Sequence, residues 1–161
     1  MLVHLSDYCK ERRQIEFESN RSNEARALMM PDDAATHLNL WKKHLGAIPA
    51  EVWNKTGLEA LILADKDLTE VSEAVGRLKK LLMLDLGHNR LTGLPDTIGD
   101  LERLTGFLYL HDNQLASLPR TFERLKRLRY LNLSENLFEE LPEVACARKD
   151  WSSSVRRTSE S

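Results

Sequence analysis

Leucines return along this chain in a fixed rhythm. The phrase Leu-x-x-Leu-x-Leu-x-x-Asn-x-Leu, followed three positions later by Leu-Pro, opens at Ala35, Leu58, Leu81, Thr105 and Leu128. Successive openings lie 23, 23, 24 and 23 residues apart, and the turn pairs Ile48-Pro49, Val71-Ser72, Leu94-Pro95, Leu118-Pro119 and Leu141-Pro142 keep the same intervals. A repeat of this length means stacked units, none of which can bury its own hydrophobic face. Within a unit, triplets such as Leu61-Ile62-Leu63 and Leu84-Asp85-Leu86 alternate with period two. Such a triplet predicts a short strand with its leucines on one face and the middle residue on the other. Behind the turn pairs, segments 96–101 and 120–125 follow a proline and set Ile98/Leu101 and Phe122/Leu125 three apart, which predicts a short helix or 3₁₀ turn as the return.

The phrase resembles the leucine-rich repeats of the 23-residue, Leu-Pro-containing class found in plant intracellular Ras-group repeats, Ras-binding scaffold proteins and bacterial relatives. The resemblance covers five repeats over residues 35–150. It implies an α/β fold: a right-handed solenoid, a β-α superhelix with a short parallel sheet on its concave face. It also implies that the Asn of each phrase sits at the bend and bonds backbone groups of its own and the adjacent loop, a role that falls to Asn89, Asn113 and Asn136. Lys43 and Lys66 stand at that position in the first two repeats. A lysine offers donors but no acceptor and is costly to bury without a partner, so the first two turns are expected to be looser than the last three.

The repeat opening at Leu81 carries one residue too many, and the insertion falls at Thr105-Gly106-Phe107. Glycine tolerates the positive φ that a bulge can require, so Gly106 is expected to kink the chain before the fourth strand and to lift Phe107 towards the concave surface beside Tyr130.

Stacking aligns equivalent residues in columns, with neighbouring strands about 4.8 Å apart. One column runs His37, Ala60, Met83, Phe107, Tyr130 and the next runs Asn39, Ile62, Asp85, Tyr109, Asn132. Beyond the leucines come Trp41, Ala64, Gly87, His111, Ser134, and then Lys42, Asp65, His88, Asp112, Glu135. An aromatic cluster of Phe107, Tyr109 and Tyr130 therefore adjoins an acidic margin of Asp85, Asp112 and Glu135. Rigid rings rimmed by charge are the material of protein-binding hot spots. The candidate partner-binding set is Asp85, His88, Phe107, Tyr109, His111, Asp112, Tyr130, Asn132 and Glu135. The same side chains also suit plain cross-strand pairing, which stabilises a sheet. His88, His111, Asp85 and Asp112 have the composition of a mixed metal site, but His88 and His111 sit in different columns and alternation points them apart. A solvated His–Asp pair is expected instead, with no metal, no cofactor and no catalytic residue.

Composition limits the remaining possibilities. The 161 residues are 42% hydrophobic and 30% charged, with a formal net charge of −2 and a pI near 6.2. That balance fits a soluble domain and argues against nucleic acid, even though Arg120, Arg124, Lys126, Arg127 and Arg129 form a basic run on the outer return. No apolar run is long enough to span a membrane, and Met1–Leu5 is too short for a secretory signal. Cys9 and Cys146 lie at opposite ends of the array and are expected to be free thiols. Residues 1–34 form an irregular segment in which Ser22 can cap a short helix carrying Ala25, Leu28 and Met29, a cover for the first strand. Residues 151–161 depart from the pattern and are expected to be a disordered tail.

Taken with the resemblance, these features lead to a non-catalytic protein–protein interaction module, a monomeric cytoplasmic scaffold or adaptor in signalling. Its concave face would bind a protein partner, of kinase or GTPase type by analogy alone, and would engage neither nucleic acid nor membrane. The alternative expectation comes from the tail, where a sixth repeat should open near Trp151. One permissible codon choice for that stretch, read with a one-base shift, gives a string close to a repeat opening. On this view the chain is a truncated or frameshifted piece of a larger repeat protein whose effector domain, such as a ligase, kinase or GTPase, is missing.

Overall fold

A strand of three residues cannot close hydrogen bonds on itself, so each repeat borrows its partners from the next. The computed structural model describes residues 36–41, 48–140 and 142, with the backbone of 152–154. Its strands are β1 (His37–Asn39), β2 (Ala60–Ile62), β3 (Met83–Asp85), β4 (Phe107–Tyr109), β5 (Tyr130–Asn132) and β6 (Ser152–Ser154). They lie in chain order in one sheet, each parallel to its neighbours. The pairing joins His37 to Ala60 to Met83, and Asn39 to Ile62 to Asp85 to Tyr109 to Asn132, as the repeat period requires. The fold is therefore a solenoid built from the 23-residue unit.

β6 corrects one expectation. Residues 152–154 belong to the sheet, pairing with Tyr130–Asn132, where a disordered tail over 151–161 was expected. Their backbone adds a strand although the sequence there supplies no leucine. The capping helix around Ser22, the lysine at position 43, and both cysteines lie outside the described residues.

The returns are 3₁₀ turns at Ala50–Asn54, Glu73–Arg77, Asp96–Asp100 and Arg120–Arg124. Three of them follow a proline with φ between −56° and −68°, the angle that its ring already holds. In the second repeat Ser72 replaces the proline, and its Oγ accepts the Ala74 N–H at 3.2 Å. Val52, Val75, Ile98 and Phe122 project inward from these turns into the single core built by the strand leucines. Leu61, Leu63, Leu84, Leu86, Leu108, Leu110, Leu131 and Leu133 are wholly shielded from solvent in that core.

At the bend after each strand the asparagines bond across repeats. Asn113 Nδ2 donates to the carbonyls of Leu110 and His111 in its own repeat and of Leu86 in the preceding one, while its Oδ1 accepts the Leu91 N–H at 3.0 Å. Asn136 does the same for Leu110 and Leu115, and Asn89 for Leu63, Lys66 and Leu68. The turn at Lys66 is accordingly not left loose. Its backbone is fastened from the next repeat by Asn89 Oδ1, and Lys66 itself is only 3% exposed.

The insertion lies where the spacing put it, by a different device. Paired residues between β3 and β4 begin at Leu84 and Leu108, so Met83 and Phe107 are out of register although they match elsewhere in the sheet. Gly106, however, is not in the left-handed region of φ. Glycine is needed there for close approach: a Cβ would stand 2.9 Å from the carbonyl oxygen of Leu82, to which the Gly106 N–H donates.

Leu86→Ala or Leu110→Ala should cost roughly 2–5 kcal/mol, since each leaves a cavity in mid-stack. A thermal melt within a degree or two of wild type would contradict the register. Lys66→Asn would give the preceding repeat an acceptor that an ammonium lacks, and denaturant titration should find about 1 kcal/mol of added stability. Lost stability would mean that the Lys66 ammonium is better accommodated than an amide.

Candidate functional site

The side chains between the leucines face away from the core and form the concave surface. Towards the second and third repeats that surface is apolar: Ala60, Ile62, Ala64 and Met83 form a separate buried cluster, with Phe107 packed against it. Sequence reasoning had the residues in its columns but did not single out this patch, which was legible as a run of small and aliphatic residues at three adjacent positions.

Beyond it lies a file of rings. Phe107 stacks almost parallel to Tyr109 at 6.0 Å, and Tyr130 tilts against both at 5.7 and 5.5 Å. Tyr109 meets His111 edge-on at 6.0 Å, and His111 meets His88 at 4.6 Å. These distances lie in the range where aromatic pairs attract beyond simple burial. Phe107 does stand beside Tyr130 on this face, as the bulge implied.

Exposure divides the nine candidate residues into two groups. Tyr109 is 2% exposed, Tyr130 and His111 8% each, and Asn132 1%, so these four are buried rather than displayed. His88, Asp112 and Glu135 are exposed, and Phe107 and Asp85 are half-buried. Asp85 and Asn132 also have local work: their Oδ1 atoms accept the N–H two residues on, at Gly87 (2.9 Å) and Ser134 (3.1 Å). Asn39 closes the same turn on Trp41. Such Asx turns carry the backbone from strand into bend.

The bend explains a correction. Asp65, His88, Asp112 and Glu135 have φ between 51° and 59°, left-handed values that non-glycine residues adopt at some cost. That conformation turns the side chain away from the direction alternation would give it. His88 and His111 therefore meet, although they belong to different columns: His88 Nε2 lies 3.1 Å from His111 Nε2, and the His88 N–H donates to the His111 carbonyl at 3.0 Å. On its other side His88 Nδ1 contacts Asp112 Oδ2 at 2.8 Å, the solvated pair that was expected. Asp112, His88 and His111 thus form one hydrogen-bonded line. His111 lies over Gly87, where a Cβ would come within 2.4 Å of His111 Cε1. Beside the line opens a groove of about 570 Å³, lined by Trp41, Asp65, Asp67, Arg90, Asp112 and Gln114 among others. Asp67 and Arg90 form an exposed ion pair across it at 2.9 Å.

Among the described residues, no three His, Cys, Asp or Glu side chains converge so as to enclose a metal ion. Nor is any helix among them long and apolar enough to cross a membrane.

Gly87→Ala tests how the site is seated. The added methyl forces the His111 ring off the backbone, and overpacking of this kind should cost about 1–3 kcal/mol. Imidazole resonances of His111 and His88 should shift together in the NMR spectrum of the variant. An unmoved His88 would show that the two rings are not coupled.

Comparison with known proteins places this geometry among relatives. Family models of leucine-rich repeats match residues 56–115 and 127–147. A leucine-rich repeat and calponin homology domain-containing protein of Drosophila melanogaster is 31% identical over 131 residues, covering 67% of this chain and 16% of that protein. A probable serine/threonine-protein kinase of Dictyostelium discoideum is 37% identical over 114 residues, covering 66% of this chain and 4% of the kinase. The chain thus spans a small part of these curated relatives. Among solved structures, a leucine-rich-repeat protein of Leptospira interrogans superposes with a TM-score of 0.65 at 28% identity, over 80% of this chain and 38% of that one. The ectodomain of the receptor kinase SOBIR1 from Arabidopsis thaliana gives 0.56 at 26%, over 67% and 61%.

Proposed function

The chain belongs to the leucine-rich-repeat family, whose members generally mediate protein–protein interaction, and from that premise we propose that it is a non-catalytic scaffold or adaptor binding a protein partner on its concave face. The observation that carries this reading is the unbroken file of rings from Phe107 to His88, packed on a rigid sheet and edged by the exposed His88, Asp112 and Glu135. Tyr109, Tyr130, His111 and Asn132 lie beneath and hold the rim in place. A surface fixed in advance gives up little conformational entropy on binding. Rim charges of one sign select the partner and its orientation.

A non-catalytic role is favoured by the line at His88. Both of its ring nitrogens are engaged, one by Asp112 and one by His111, rather than one being aimed at a nucleophile. The 23-residue period with Leu-Pro turns supports membership of the plant intracellular Ras-group-like or bacterial class. That class motivates placing the protein in the cytoplasm as a monomer with a signalling partner.

Asp112→Lys combined with Glu135→Lys reverses the rim charge at exposed positions without touching the core. Affinity capture from cells with the full chain, compared by quantitative mass spectrometry, should lose its specific partners with this variant. Capture should persist with Arg127→Glu on the outer return. Equal recovery from both variants would place the binding surface elsewhere.

A further inference from the structure

We propose that His88 and His111 form a two-imidazole chelate on the rim of the concave face that takes one divalent transition-metal ion of the imidazole-preferring kind, Zn²⁺, Ni²⁺ or Cu²⁺. The proposal is independent of the protein-binding reading.

Spacing is the first argument. The two Nε2 atoms are 3.1 Å apart. Two nitrogens on one tetrahedral ion at 2.0–2.1 Å stand roughly 3.3–3.4 Å apart, and two cis nitrogens on a square-planar ion at like bond lengths stand roughly 2.9 Å apart. The observed gap falls between these values, so the spacing suits either geometry once the exposed His88 ring turns to aim both lone pairs at one ion.

Orientation is the second. Asp112 Oδ2 lies 2.8 Å from His88 Nδ1, which holds the proton on that nitrogen and leaves the Nε2 lone pair facing His111. A carboxylate behind an imidazole in this way fixes the ring and raises its basicity as a ligand. The backbones are fastened too, through the His88 N–H and the His111 carbonyl at 3.0 Å.

Construction is the third. His111 is buried, resting over Gly87 and edge-on to Tyr109, so it is a ligand fixed in place. His88 has a half-exposed side chain, so it can adjust to the ion and leave the outer positions to water. Among the described residues no third His, Cys, Asp or Glu converges with the two Nε2 atoms to enclose an ion, Asp112 standing behind His88 on Nδ1, and this makes the site open and exchangeable rather than structural. In the metal-free protein a proton occupies the gap between the rings. When the ion enters, both Nε2 lone pairs bond to it, and His111 carries its proton on Nδ1. The rings stay neutral, and no oxidant or reductant is required.

The test uses the full chain without a purification tag, in a background of His4→Gln, His37→Gln and His44→Gln, which removes the other histidines. Zn²⁺ is titrated in competition with a chromophoric chelator, and Cu²⁺ is followed by electron paramagnetic resonance. One equivalent of ion should bind, with hyperfine splitting from two nitrogens. His88→Gln, at an exposed ring, should weaken binding about tenfold or more while the protein melts as before without metal. Asp112→Asn should weaken it by a smaller factor, as loss of a carboxylate behind a ligand does. Zn²⁺ should raise the melting temperature of the background protein and not that of His88→Gln. Binding that survives His88→Gln, or that vanishes in the triple background while present in wild type, would overturn the proposal.

Discussion

The whole molecule depends on one constraint: a three-residue strand and the bend after it can satisfy their backbone hydrogen bonds only from adjacent repeats. The strands meet it through the parallel sheet, and the bends meet it through asparagine amides that bridge two repeats at once. Buried backbone groups without partners are costly, so the register between repeats is fixed closely. From that register come the single leucine core behind the sheet and the aligned columns in front of it. The concave surface is thus a by-product of how the backbone is satisfied, and its side chains can vary while the frame stays the same.

Much of this was legible in the sequence because leucines recur at positions fixed by the frame. The period located the strands of the repeats to within one residue, the prolines located the returns, and the 24-residue interval located the bulge before Phe107. What escaped notice lies where the simple period-two rule ends. His88 was separated from His111 because alternation was carried one residue too far, into a bend where φ is 52°. Positive φ was assigned to Gly106, whose actual role is to let the Leu82 carbonyl come close. The burial of Tyr109 and Asn132 was missed because a column diagram gives neighbours along the sheet but not the depth of its face. β6 was missed because its serines carry no hydrophobic signal, and only backbone pairing identifies it.

Function follows from where variation is permitted. In the middle repeats the columns hold small and aliphatic residues, and towards the later repeats they hold rings and ionisable groups. The line Asp112–His88–His111 joins these features at the rim, linking an exposed carboxylate to a buried ring that meets Tyr109 edge-on. A protein partner or a metal ion would each meet the same rigid frame.

Native-state hydrogen exchange tests the central claim most directly. The amides of Lys66, Leu68, Leu91 and Leu115 sit in bends, yet each donates to an asparagine Oδ1 of the following repeat. If bonding between repeats holds the frame, these four should exchange only through global unfolding, with the protection of strand amides such as Leu86 and Leu110. Exchange at the rate of ordinary exposed loops, while the strand amides remain protected, would contradict it.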